Sequence, residues 1–185
     1  MTAYLPPGKR VLITGGAGFI GGCVVRRLLE DTKAIVFNLD KLGYASDCKS
    51  IDALQLPNRH HLLTVDLIDQ CATQQAVSQA NPDLVMHLAA ESHVDRSIDG
   101  PEAFIDSNVK GTFNLLQAVR THWEGLNSER RNKFRLHHIS TDEVFGSLGM
   151  TGRFSENTPY DPCSPYSASK ASSDHLVRAW NRTYG

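Results

Sequence analysis

No stretch of the 185-residue chain is apolar for long enough to span a membrane, which takes about 18 or more consecutive apolar residues. The opening segment MTAYLPPGKR also lacks the apolar centre of a secretory signal. Cysteine is sparse. Cys23, Cys48, Cys71 and Cys163 form no CxxC pair, so neither a disulfide framework nor a zinc ribbon is legible, and reduced thiols in the cytoplasm are expected. The 8 histidines include no HExxH and no Cys/His cluster. The adjacent pairs His60–His61 and His137–His138 read as strand residues facing alternate ways, and no metal site is expected. A net charge of −1 with no basic run leaves out the Lys/Arg stripe that nucleic-acid binding requires.

What is present is a globular composition, 41% hydrophobic and 21% charged, in a chain long enough to bury one core. A single domain over residues 1–185 is expected. Short apolar runs at Arg10–Thr14, Ala34–Leu39, Leu62–Val65, Leu84–Leu88 and Phe134–Ile139 read as buried strands. Segments of helical period separate or follow them: Gly18–Glu30, Ile68–Ala80, Pro101–Trp123 and Pro165–Trp180. This alternation predicts an α/β fold, a doubly wound parallel sheet of Rossmann type with helices on both faces. Gly146–Pro165 reads as a long irregular loop, and a loop of that length in a compact domain is usually functional.

The first strand runs into Gly15-Gly16-Ala17-Gly18-Phe19-Ile20-Gly21-Gly22, which fits GxxGxxG through Gly15, Gly18 and Gly21. Without Cβ atoms, such a turn lets backbone N–H groups and a helix N-terminus reach a pyrophosphate. A glycine-rich turn that binds nothing fits the same letters, but the strand before and the helix after favour a dinucleotide site. Asp40 ends the second strand, where a carboxylate accepts ribose hydroxyls and repels a 2′-phosphate, favouring NAD over NADP. Asp66, after the third strand, suits the adenine end or a helix cap.

Tyr166 and Lys170 form a YxxxK pair on one helix face. The ammonium can favour the phenolate, whose reference pKa of about 10 is too high for a base at neutral pH. The same pair also fits a surface Tyr–Lys contact. Ser140-Thr141-Asp142-Glu143 decides between them, because these polar residues follow a strand whose carboxyl end faces the cofactor crevice.

The segments ITGGAGFIGG, NLDKLGYAS, HLAAESHVDRSIDGP, ISTDEVFG and SPYSASKASSDHLVRAW resemble the dTDP-glucose 4,6-dehydratases, extended short-chain dehydrogenases/reductases. The likeness runs from about Lys9 to the last residue. It implies a catalytic set of Thr141, Asp142, Glu143, Tyr166 and Lys170. Tyr166 would take the proton of the sugar 4-hydroxyl while C4 gives hydride to NAD. Glu143 would then remove the C5 proton, and Asp142 would protonate the departing 6-hydroxyl. Return of hydride to C6 would leave a 4-keto-6-deoxy sugar. The acidic pair separates this group from the sugar 4-epimerases, which lack it, and from the GDP-mannose dehydratases, which carry a small hydroxyl residue where Asp142 stands.

The resemblance further implies that Gly15, Gly18, Phe19, Ile20 and Gly21 lie along the pyrophosphate. Asp40, Lys41 and Leu42 would hold the adenosine ribose, and Asp66 and Leu67 the adenine. Leu88, Ala89, Ala90, Glu91, Ser92 and Ser107 would line the nicotinamide side with Tyr166 and Lys170. Ser92 and Thr141 would also touch the substrate. Gly43 and Phe145 depart from the usual Thr and Tyr, removing a hydroxyl each; Ser107 keeps one where Thr is usual. A homodimer through Pro101–Trp123 and Pro165–Trp180 is implied, with Phe113, Leu116, Trp123 and Trp180 at its interface. The ending at Tyr184–Gly185 reads as a truncation, with the substrate-binding C-terminal part absent. The 185 residues alone are therefore expected to bind NAD weakly and to turn nothing over. An inactive NAD-binding remnant, or an enzyme for another nucleotide sugar, stays open.

Overall fold

The computed structural model describes residues 5–185; the first four residues of the expected 1–185 domain lie outside the described residues. In chain order the elements are β1 Arg10–Thr14, α1 Phe19–Asp31, β2 Ile35–Asp40, α2 Lys49–Asp52, β3 His60–Thr64, α3 Gln70–Ala80, β4 Leu84–His87 and α4 Val94–Asp99. They continue with α5 Glu102–Phe104, a π-helical stretch Ile105–Lys110, α6 Gly111–Glu124, α7 Ser128–Lys133, β5 Arg135–His138, a 3-10 turn Asp142–Phe145 and α8 Pro165–Tyr184.

All five strands are parallel, in the order β3-β2-β1-β4-β5. The order reverses at β1, between β2 and β4, which opens a crevice beyond the carboxyl ends of those strands. Strand alternation sends β1 side chains to two cores. Leu12 packs with Ala76, Val77 and Ala80 of α3 and with Leu115, Ala118 and Val119 of α6. Val11 and Ile13 pack with Val25 and Leu29 of α1 and with Ile51 of α2. Each such Val, Leu or Ile is nearly solvent-free and contributes roughly 1.5–3 kcal/mol by burial. The sheet is thus covered on both faces, as the Rossmann-type reading requires.

Element ends move by a few residues. β3 begins at His60, two residues earlier than Leu62, because His60 and His61 pair with Val36 and Phe37. The expected helix Pro101–Trp123 is broken by the π-helical stretch, where Asn108 bonds the backbone of Glu91 instead of continuing a surface stripe. The final helix outruns Trp180 to Tyr184, whose ring meets Trp180 at 5.7 Å and lies 3.7 Å beneath the Arg120 guanidinium. Its start is fixed by a reciprocal Ser164–Ser167 capping box with Pro165 in the first turn. The short helices α4 and α7 were not expected, being too brief for an apolar period. Leu116, expected on an uncovered face, is only 5% exposed within the chain. Phe113 and Trp180 likewise meet each other edge to face at 5.9 Å. Among the described residues no helix is long and apolar enough to cross a membrane.

Candidate functional site

The crevice is a cavity of about 470 Å³ walled by residues from the ends of all five strands and from α8. Its floor is the glycine turn. Gly15 has φ +72, and a Cβ there would stand 2.7 Å from the Ala89 backbone. A Cβ on Gly21 would fall 2.0 Å from the Gly15 carbonyl oxygen. Glycine at these two positions lets α1 start directly against the turn. No side chain caps α1 at Gly18, and no acidic residue occupies its first turn. Its first N–H groups and positive dipole end therefore remain available to an anion. Phe19 is 95% exposed and Ile20 62%, although both are apolar and both line the cavity. A bound group would cover them.

Asp40, buried at the end of β2, holds the adjoining wall together. Its Oδ2 accepts the Ala17 N–H at 3.0 Å, and its Oδ1 accepts the Leu42 N–H at 2.8 Å and the Ser46 hydroxyl at 2.9 Å. Leu42 does not line the cavity; it contributes its N–H to Asp40, on a backbone held at φ +56. Across the mouth, Lys41 reaches Glu91 at 2.8 Å. Burial works against the Lys41 charge, but the bond and charge of Glu91 outweigh it and raise the pKa. Asp66 and Leu67 line the cavity as expected, and Asp66 also accepts the Ile68 N–H at 3.0 Å. Leu88, Ala89, Ala90, Glu91, Ser92 and Ser107 complete that side.

Behind these walls runs a buried chain of hydrogen bonds that the sequence did not disclose. The Ala89 N–H donates to Thr14 Oγ1 at 3.2 Å, and Thr14 Oγ1 meets His87 Nδ1 at 2.6 Å. His87 Nε2 meets Thr112 Oγ1 at 3.0 Å, and that hydroxyl donates to the Asn108 carbonyl at 2.6 Å. Since the Thr112 proton is committed to Asn108, His87 donates from Nε2 and accepts at Nδ1. Burial, with help from His138 and Lys170, pushes the His87 pKa well below its ordinary value, so the ring is neutral. The Asn108 side chain accepts from the Glu91 N–H and donates to the Glu91 carbonyl and to Ser169 of α8. One network thus joins β1, β4, the π-helical stretch and α8. Thr14 and His87 sit at strand carboxyl ends, the one signal that would have placed them here.

Tyr166 and Lys170 both line the cavity, and the walls reach Ser140. Thr141 and Glu143 follow half-buried and Asp142 exposed, in the 3-10 turn that Thr141 caps by accepting the Glu143 N–H at 3.3 Å. The expected fall in the Tyr166 pKa is reversed. Burial raises it, the nearby Thr141 hydroxyl partly offsets this, and the charges of Glu143, Asp142 and Asp174 raise it further. Lys170 does not counter this, because its ammonium donates to the Ile139 carbonyl at 2.7 Å; burial lowers its own pKa against the pull of Asp174.

Asp174 is a second feature the sequence reading passed over. Spaced four residues after Lys170 on the same helix face, it accepts from Ser140, from Tyr160 at 2.9 Å and from His138 at 2.9 Å. Burial would raise its pKa, but the bonds from His138, Ser140 and Tyr160 hold it below the ordinary value. The carboxylate ties the end of β5 and the long loop to α8. Among the described residues no cluster of three or more potential metal ligands occurs.

A family model described as GDP-mannose 4,6 dehydratase matches residues 12–185. The dTDP-glucose 4,6-dehydratase of Neisseria meningitidis serogroup B is 54% identical over 178 residues, covering 96% of this chain and 50% of that protein. The crystal structure of a dTDP-glucose 4,6-dehydratase from Streptomyces venezuelae with NAD bound aligns with a TM-score of 0.84 at 40% identity, over 95% of this chain and 52% of that one. A UDP-glucose 4-epimerase from Thermus thermophilus in complex with NAD aligns with a TM-score of 0.80 at 32% identity, over 95% and 52%. The chain spans about half the length of the curated relatives it matches.

Proposed function

The chain belongs to the GDP-mannose 4,6-dehydratase family, and we propose that it is the NAD-binding and acid–base portion of a dTDP-glucose 4,6-dehydratase. The observation that carries this reading is a single cavity walled by both the glycine turn with Asp40 and the Tyr166–Lys170 pair, with Thr141-Asp142-Glu143 directly after the wall residue Ser140. Its volume lies within the roughly 300–1,000 Å³ usual for ligand pockets.

The residues present fit NAD. The uncapped α1 N-terminus suits a pyrophosphate, uncovered Phe19 and Ile20 suit a group lying over them, and Asp40 suits ribose hydroxyls. Asp66 and Leu67 would flank the adenine, and Leu88 to Ser92 with Ser107 the nicotinamide. Bound there, NAD supplies a reversible hydride acceptor. Tyr166 accepts the proton of the sugar 4-hydroxyl, with the Thr141 hydroxyl easing the phenolate. Burial holds the Tyr166 pKa up, and Lys170, which donates to the Ile139 carbonyl, would hold the nicotinamide ribose at the same wall. Glu143 acts as the base at C5 and Asp142 as the acid at the 6-hydroxyl. The acidic pair favours this chemistry over epimerisation, and Asp142 favours a dTDP-sugar over GDP-mannose.

The same reading makes the protein cytoplasmic and homodimeric through α6 and α8, with the nucleotide of the substrate held by residues beyond this chain. Because it spans half of its relatives, residues 1–185 alone would bind NAD weakly and without turnover, remote binding being what positions the reacting carbon. In a protein continued to the length of its relatives, Glu143→Gln is expected to slow elimination by roughly 10²–10⁴ while C4 oxidation persists. Tyr166→Phe is expected to stop the oxidation itself. Unchanged turnover after both Glu143→Gln and Asp142→Asn would remove the dehydratase assignment.

A further inference from the structure

We propose that Ser46 is a cofactor-discriminating residue, forming with Asp40 a paired acceptor seat for the two hydroxyls of the adenosine ribose; this rests on the NAD reading above. An ionised carboxylate offers about four lone-pair positions. In Asp40 three are taken by the Ala17 N–H, the Leu42 N–H and the Ser46 hydroxyl. One acceptor position remains, on Oδ2, which is enough for one hydroxyl of a vicinal diol. The second hydroxyl needs another acceptor in the same wall. Ser46 lines the cavity beside Asp40, and because its proton is committed to Asp40 Oδ1, its oxygen presents only lone pairs. A diol therefore meets two acceptors. A 2′-phosphate, itself an acceptor carrying up to two negative charges, meets the same two acceptors, while the neighbouring cation, Lys41, is engaged by Glu91.

The hydroxyl is not what holds the loop in place. The Ser46 N–H already bonds the Gly43 carbonyl at 3.1 Å, and the Asp47 N–H bonds the Ala17 carbonyl at 2.7 Å. Both bonds are backbone to backbone and survive truncation of the side chain, so Ser46→Ala removes the acceptor and leaves its mounting.

The test is calorimetric titration of the chain with NAD and, separately, with NADP, for wild type, Ser46→Ala and Ser46→Thr. Ser46→Ala is expected to weaken NAD by roughly 2- to 10-fold, the net worth of one hydrogen bond. NADP affinity should stay the same, so the preference for NAD narrows by the same factor; Ser46→Thr, which keeps the hydroxyl, should restore it. Equal weakening of both dinucleotides, as a merely structural role would give, overturns the proposal. So does an unchanged NAD affinity in Ser46→Ala while wild type binds NAD measurably. A wild-type chain that binds neither dinucleotide overturns the NAD reading and this proposal together.

Discussion

Two neighbouring glycines in α1 should respond in opposite directions to the same substitution. Both Gly21 and Gly22 are buried in the first turns of the helix, where alanine is intrinsically better than glycine by about 0.5–1 kcal/mol. At Gly22 the added Cβ would meet the Gly16 carbonyl oxygen at 3.6 Å and Arg26 Nη1 at 3.7 Å, ordinary van der Waals contact. Nothing opposes the backbone gain there. With a midpoint shift of roughly 2–4 °C per kcal/mol for a chain of this size, Gly22→Ala should raise Tm by roughly 1–4 °C. At Gly21 the Cβ would stand 2.0 Å from the Gly15 oxygen, 2.8 Å from its carbonyl carbon and 2.9 Å from Gly16 Cα. All three are backbone atoms, so no side chain can swing aside, and α1 must retreat from the turn. Overpacking of this kind costs about 1–3 kcal/mol or more, which outweighs the propensity gain. Gly21→Ala should therefore lower Tm, and it should also weaken NAD because the turn is displaced. The assays are thermal unfolding followed by circular dichroism and titration with NAD. Shifts of the same sign in the two variants would refute the close approach of helix and turn.

Acid should destabilise the fold well before its carboxylates protonate. His87 is held neutral by burial, while the unfolded chain takes up a proton near the ordinary 6.5. Stability is then expected to fall by about 1.4 kcal/mol per pH unit below that point from this group alone. His60 and His122 are shifted the same way, burial being the first cause in each. Asp174, whose pKa is lowered, keeps its contribution until the pH drops below its ordinary 3.8. Urea midpoints that are flat between pH 7 and pH 5 would contradict the neutral His87. Asn108→Ala should cost about 1–3 kcal/mol, because the part-buried Glu91 N–H and carbonyl and the buried Ser169 hydroxyl lose their partner. A urea midpoint equal to that of wild type would show that the network behind the cavity holds nothing.

The sheet was legible because apolar runs of strand length alternate with helical periods, and topology follows from that alternation. The glycine turn, Asp40, Tyr166 and Lys170 were legible because each belongs to a motif with fixed spacing. What escaped is what depends on three-dimensional meeting. His87 and Asn108 lie 21 residues apart in the numbering yet are joined through Thr112. Asn108 sits in the π-helical stretch that interrupts the expected helix, and its side chain bonds Glu91 and Ser169. The backbone role of Leu42, whose N–H serves Asp40, has no signature in the identity of its side chain. The direction of the Tyr166 shift is illegible for a related reason, because burial, its first cause, and the engagement of Lys170 by the Ile139 carbonyl are properties of the folded chain.

On the reading proposed above, the acid–base residues in and beside this cavity serve a transient C4 oxidation followed by reduction at C6. Incubating a protein continued to the length of its relatives with dTDP-glucose carrying deuterium at C4, and locating the label by NMR, tests it directly. A 4-keto-6-deoxy product with the deuterium at C6 is expected. Deuterium found again at C4 of an epimerised sugar, or product formation with the label lost to solvent, would contradict it.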